Sequence, residues 1–244
     1  MTRLWKFLAL LALISPAVPA TAAVPVLQAK PAAVQMALKA GRTRLTNQAL
    51  AYVPNGVAGP APLIVLLRGG ATDADEFLDQ FRSEADRRGA ILVALEPAGA
   101  TWSLKDDGHG GADFGSDPAA LDAALAALFA RAPIDPARIV ILGHSDGASY
   151  AISLGLSNPH PFKGIVAMSP GMAWRPPAVD ASQRIFITHG MRDTTLPFKN
   201  TRDTIVPGLE AGGLKVQTHW FNAGHDVNRL MVSEGLDYAL GATR

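Results

Sequence analysis

The 244-residue chain has no cysteine. That absence excludes disulfides, Cys-ligated zinc, iron–sulfur centres, thiol nucleophiles and a lipidated N-terminal cysteine. A charge imbalance is missing too: 22 Lys and Arg stand against 21 Asp and Glu, for a formal net charge of +1. Nucleic acid therefore has no electrostatic claim on the chain as a partner, and neither has an acidic surface. Nor does any apolar run approach the roughly 20 residues that span a bilayer, so no stable membrane anchor is expected. The sequence is not short of core material. At 48% hydrophobic residues it excludes disorder, and its length suits one α/β domain.

The first 22 residues read as a targeting segment. Arg3 and Lys6 make a basic start, residues 7–14 are apolar, Ser15 and Pro16 interrupt the run, and Ala20-Thr21-Ala22 offers the small residues a signal peptidase needs. Cleavage near Ala22 would remove two bases and no acid, and the product would be secreted or periplasmic. The domain expected is then 23–244.

Residues 23–48 are mixed in character, with a short helix expected between Ala32 and Ala40 and a Gly/Pro-rich loop over 55–62. Beyond them, β-branched and Leu-rich runs at 63–67, 91–95, 138–142, 164–168, 184–188 and 215–221 alternate with helical stretches at 73–88, 118–131, 147–156, 201–211 and 227–240. Several runs are apolar throughout, as in strands buried on both faces. Asp117-Pro118 reads as a cap followed by proline in the first turn. The alternation predicts a compact α/β fold, a mostly parallel sheet with helices on both faces. The gap 169–183 is too short for a cap domain.

Gly143-His144-Ser145-Asp146-Gly147 follows one expected strand and opens a helix, the setting of a G-x-S-x-G nucleophile elbow. The bare pattern arises by chance in about one such chain in ten, so its flanks carry the weight. A serine hydroxyl needs a base, and the base needs an orienting acid. Asp193 follows the run 184–188, and His225 follows 215–221. All three thus sit on loops after strands, in the order Ser, acid, His. The oxyanion donors expected are the backbone N–H groups of Asp146 and of Gly70, in the Arg68-Gly69-Gly70 loop.

Together LIVLLRGG, GHSDGA, HGMRDTTLP and AGHDV resemble the α/β-hydrolase superfamily. The likeness is to its compact serine esterases, the phospholipase/carboxylesterase and polyhydroxybutyrate-depolymerase/feruloyl-esterase-like groups, over about residues 50–240. The resemblance implies a lidless enzyme of α/β-hydrolase fold that cleaves carboxylic esters through Ser145, Asp193 and His225 and needs no cofactor. Its substrate would be a small ester or an ester-bearing polymer. Thioesterase and peptidase chemistry share the fold, and a non-catalytic binding protein would carry a broken triad. The oligomeric state is not indicated. Arg68 departs from the His-Gly usual in these groups, where the His braces the oxyanion loop. It is expected in a structural ion pair, or else drawing an acidic substrate. Asp146 is expected to turn its carboxylate away, hydrogen-bonded.

The remaining candidates have plainer readings. Trp102 lines the pocket or packs. His144 lines its wall, and His189, which precedes the acid loop, reads as a packing histidine. Asp226 and Asp203 are rival acids, the former having to fold back on its neighbour His225. His109 and Asp113 alone are too few for a metal site, and none is expected. His160 and His219 read as surface or strand residues.

Overall fold

The computed structural model describes residues 25–32, 38–108 and 110–241. The leader expected over 1–22, residues 33–37 of the expected short helix and His109 lie outside the described residues. Ala32 and residues 38–40, which flank that gap, are not helical.

Two strands, β1 (Gly41–Thr46) and β2 (Ala49–Val53), lead into β3 (Ala61–Leu67), α1 (Ala74–Arg88) and β4 (Ile91–Leu95). A small hairpin, β5 (Lys105–Asp106) and β6 (Ala112–Asp113), precedes α2 (Asp117–Phe129). The centre is β7 (Ile134–His144), α3 (Asp146–Ser157), β8 (Gly164–Met168) and β9 (Arg184–Gly190). One helical run follows, made of α4 (Phe198–Asn200), a π-helical turn (Thr201–Ile205) and α5 (Val206–Ala211). Then come β10 (Val216–Phe221) and α6 (Arg229–Ala239).

The main sheet has the order β1-β2-β4-β3-β7-β8-β9-β10, antiparallel at β1/β2 and β2/β4 and parallel elsewhere. Alternate residues of its parallel strands feed two cores. Leu63, Val65, Ile139 and Ile141 join Leu121, Leu125 and Leu154 on the side of α2 and α3. Ile64, Leu66, Val140 and Leu142 meet Phe77, Phe81, Val232 and Leu236 on the side of α1 and α6. Burial on both faces is why these strands read as unbroken apolar runs.

Three sequence expectations need correction. The β1–β2 hairpin was not anticipated, because β1 is a half-exposed edge in which Arg42 and Arg44 alternate with Thr43 and Leu45. β7 starts four residues before the expected run, despite Pro136. Ile134 pairs with Ala61 and the register then jumps to Ile139 opposite Leu63, so the proline sits in an irregularity where no N–H is required. Asp117 does not cap α2. Ser116 holds the cap position, and the buried Asp117 carboxylate instead accepts the Ala98 N–H at 2.7 Å, tying the loop after β4 to the start of α2.

Candidate active site

The turn from β7 into α3 places Ser145 at φ 60°, ψ −124°, in the left-handed half of backbone space that a side chain seldom occupies. Its N–H donates to the Met168 carbonyl on β8 at 2.9 Å. The flanking glycines are sterically required. A Cβ on Gly143 would stand 2.1 Å from the Gly147 carbonyl oxygen, and one on Gly147 would stand 2.3 Å from the Arg68 and Leu67 carbonyl oxygens. These contacts let β7, α3 and the Arg68 loop close around one serine.

Ser145 Oγ lies 2.8 Å from His225 Nε2, and His225 Nδ1 lies 2.6 Å from Asp193 Oδ2. The other carboxylate oxygen, Oδ1, accepts the backbone N–H groups of Thr195 and Leu196, each at 2.9 Å. Burial pulls the Asp193 pKa upward. The hydrogen bonds from His225, Leu196 and Thr195 outweigh it and hold the group below its ordinary value. The structure thus brings together all three residues singled out at the strand ends. Asp226, the rival acid, is exposed. Asp203 is spent on Lys199 and Arg202 at the helix surface.

Beside Ser145 lies a pocket of about 460 Å³ that Gly70 and Asp146 also line. Trp102, Leu104, Met172 and Leu196 supply its apolar wall, and Thr101, Ser149 and Thr195 its hydroxyls. It opens to solvent where Met172 is 43% exposed. Ser149 lay within reach of sequence reasoning, since it follows Ser145 by one helical turn. Its Oγ accepts the N–H groups of Gly171 and Met172 and so fixes the opposite wall.

Residues 118–234 match the family model for phospholipase/carboxylesterase. The chain has the α/β-hydrolase fold and is similar to the serine esterases of that superfamily. Solved structures similar to it include the esterase PE8, with a TM-score of 0.57 and 26% identity over 78% of this chain and 94% of that one. A carboxylesterase from Mesorhizobium loti has a TM-score of 0.61 and 21% identity over 83% and 100%. An acetyl xylan esterase from Aspergillus awamori has 0.65 and 15% over 81% and 98%. No curated protein matches the sequence.

In this α/β-hydrolase Arg68 stands apart from the pocket-lining residues. Its buried guanidinium donates through Nε to Glu96 Oε1 at 2.8 Å, pairs with the same oxygen through Nη2, and donates through Nη1 to the Gly69 carbonyl at 3.0 Å. Glu96 Oε2 in turn accepts the Ala74 N–H at the start of α1. Trp102 combines both of its readings: it lines the pocket, packs on Tyr150, and donates its indole N–H to the Arg68 carbonyl at 2.8 Å. The loop after β3 is therefore tethered at Arg68 from two directions. Replacing Glu96 by alanine strands a guanidinium that is only 7% exposed and leaves the α1 amide without its acceptor. Glu96 itself is 38% exposed, so solvent screens part of the loss, and a cost of about 2 kcal/mol is expected in urea unfolding.

His144 is not among the pocket-lining residues. Its ring stacks against that of His225 at 4.9 Å between centroids, and burial, aided by the nearby His225, lowers its pKa to about 4. It is therefore an uncharged packing surface for the neighbouring imidazole at neutral pH. The Asp146 carboxylate accepts from the Thr101 hydroxyl, and burial raises its pKa. The expected hydrogen bond is present. Asp146 and Thr101 both stand at the pocket wall, so the residue does not turn clear of it. Asp113 accepts the Gly115 N–H within its own turn, His160 is exposed, and His219 pairs with Glu234.

Proposed function

We propose that the chain is an exported serine carboxylesterase working through Ser145, His225 and Asp193. The observation that carries this reading is the unbroken hydrogen-bonded line from Ser145 Oγ through the His225 ring to Asp193, beside a pocket lined by Gly70 and Asp146. His225 Nε2 takes the hydroxyl proton as Oγ attacks the ester carbonyl. The tetrahedral oxyanion is held by the Gly70 and Asp146 backbone N–H groups. Collapse expels the alcohol, which takes the proton back from His225 and leaves an acyl-serine. Water, deprotonated by the same imidazole, attacks the acyl carbon, and collapse breaks the bond to Ser145 Oγ, which takes the proton back from His225 as the carboxylic acid departs. Asp193 keeps the Nδ1 proton in place and balances the imidazolium.

The lining also speaks for a kind of ester. Among the described residues Asp146 is the one acidic or basic side chain lining the pocket, and Arg68 is committed to Glu96. A compact, uncharged ester suits such a wall, and a free carboxylate does not. A panel of p-nitrophenyl hexanoate, monoadipate and 6-aminohexanoate, with a hexanoyl thioester and anilide, tests both statements. The neutral oxygen ester should turn over fastest, and the anionic one about tenfold slower in kcat/KM, as expected for like charges several ångströms apart near a surface. Asp146→Asn should close that ratio, whatever it does to absolute rates. Faster cleavage of the thioester or anilide would reassign the bond, and no discrimination by charge would remove the role given to the wall.

Arg3, Lys6, the apolar stretch 7–14 and Ala20-Thr21-Ala22 support export, secreted or periplasmic, after removal of 1–22. Among the described residues no helix is long and apolar enough to cross a membrane.

A further inference from the structure

His189 has no part in the reaction just described, yet it stands directly behind the acid. Its side chain is 0% exposed. Ring atom Nε2 lies 2.9 Å from the Leu196 carbonyl oxygen and 3.1 Å from Asp193 Oδ2. The carbonyl, and the carboxylate when ionised, can only accept, so Nε2 carries a proton. Nδ1 lies 2.8 Å from Thr201 Oγ1, in the π-helical turn, and that hydroxyl also lies 2.9 Å from the Pro170 carbonyl oxygen. Burial lowers the imidazole pKa against the upward pull of Leu196 and Asp193. The lowered pKa favours the neutral ring, and the single Thr201 hydroxyl proton is then shared between Nδ1 and the Pro170 carbonyl.

One oxygen of Asp193 consequently serves two imidazoles. Oδ2 accepts from His225 at 2.6 Å and from His189 at 3.1 Å, while Oδ1 is occupied by the two backbone N–H groups. We infer that His189 is a positioning residue of the relay, whose Nε2–H steadies Asp193 Oδ2 and weakens it as an acceptor for His225. A lone-pair region shared with a second donor attracts the Nδ1–H of His225 less strongly and stabilises the imidazolium less. The enzyme therefore stays active to lower pH than it would with a single donor on that oxygen. No proton leaves His189 in this role.

Among the described residues the titratable groups around His225 are few. His189 approaches from the end of β9 and Asp193 from the loop after it, His144 and Ser145 from the elbow, and Asp226 is its neighbour in its own loop. His144, lowered to about 4, changes charge well below neutrality and does not confuse the reading.

The inference rests on the relay proposed above, and its test separates the two. The kcat/KM for p-nitrophenyl hexanoate is followed against pH in the wild type, His189→Asn and His189→Gln. The asparagine amide reaches the place of Nδ1, toward Thr201, and falls short of Asp193. The glutamine amide reaches the place of Nε2 and can donate as the imidazole does. The midpoint of the acid limb should rise by about half a pH unit to one unit in His189→Asn and stay within about 0.2 in His189→Gln. An unmoved limb in His189→Asn, or equal shifts in both variants, would overturn the role. If neither variant folds, nitrogen NMR of histidine-labelled wild-type protein decides the matter. A proton on Nε2 of His189 supports the inference, and a proton on Nδ1 alone defeats it. A wild-type profile with no acid limb at all would instead count against His225 as the base.

Discussion

Ser145→Ala should lower kcat for p-nitrophenyl hexanoate by about 10⁴-fold or more and leave the fold intact. The size of the effect follows from the chemistry: without Oγ there is no acyl-enzyme, and what survives is the contribution of the oxyanion donors and of binding. The intact fold follows from the surroundings of the residue. The strained backbone at φ 60° is enforced by Gly143 and Gly147, whose neighbours leave no room for a Cβ, and by the Ser145 N–H bond to Met168. Alanine keeps all of this and gives up a single side-chain hydrogen bond, to His225. Circular dichroism and the thermal midpoint should therefore match the wild type, while labelling by a fluorophosphonate probe disappears. A variant that folds and still labels would move the nucleophile elsewhere.

The chemistry was legible in the sequence where local pattern and strand order coincide. Ser145 and Asp193 follow buried parallel strands and His225 a half-buried one at the end of the sheet, and the C-terminal ends of parallel strands meet along one edge of the sheet whatever the details of packing. β4 and β8 could be bounded to the residue for a related reason, being apolar on both faces and ended by polar or turn residues. The β1–β2 hairpin was hidden because a half-exposed edge strand carries arginine and threonine on its open side, which dilutes the alternation.

The supporting partners were illegible for a different reason. Glu96 meets Arg68 across 28 residues, and Trp102 meets it across 34, so no local spacing announces either contact. The same holds for His189. Its distance of four residues from Asp193 suits a packing role or a hydrogen-bonding role equally, and only the conformation of the loop after β9 aims Nε2 at the carboxylate. His144 was misplaced because the elbow turns its ring away from the pocket that Ser145 faces and against His225. In each case the residue type was informative and the direction of its side chain was not.

Asp193→Asn should cost about 10³- to 10⁴-fold in kcat with little change in KM. The amide can keep the bonds from Thr195 and Leu196 by presenting its oxygen to them. Its NH₂ then faces His225 Nδ1 and His189 Nε2, two groups that both donate to Oδ2 in the native chain. The His225 proton is driven to Nε2, where it blocks acceptance of the Ser145 proton, so the loss falls on the chemical step. The pH profile of the wild type follows from the same carboxylate. Hydrogen bonds hold the Asp193 pKa below the ordinary value despite burial, so Asp193 remains ionised throughout the range in which an imidazole titrates. Acidification protonates His225, the base is lost, and log kcat/KM should fall with a slope of one per pH unit. A slope of two near neutrality would mean that a second essential group gains a proton in the same range, and would remove Asp193 as a permanently charged partner. Removal of the carboxylate by mutation should also erase the difference between His189→Asn and His189→Gln, because both imidazoles act on one oxygen and neither effect survives its loss.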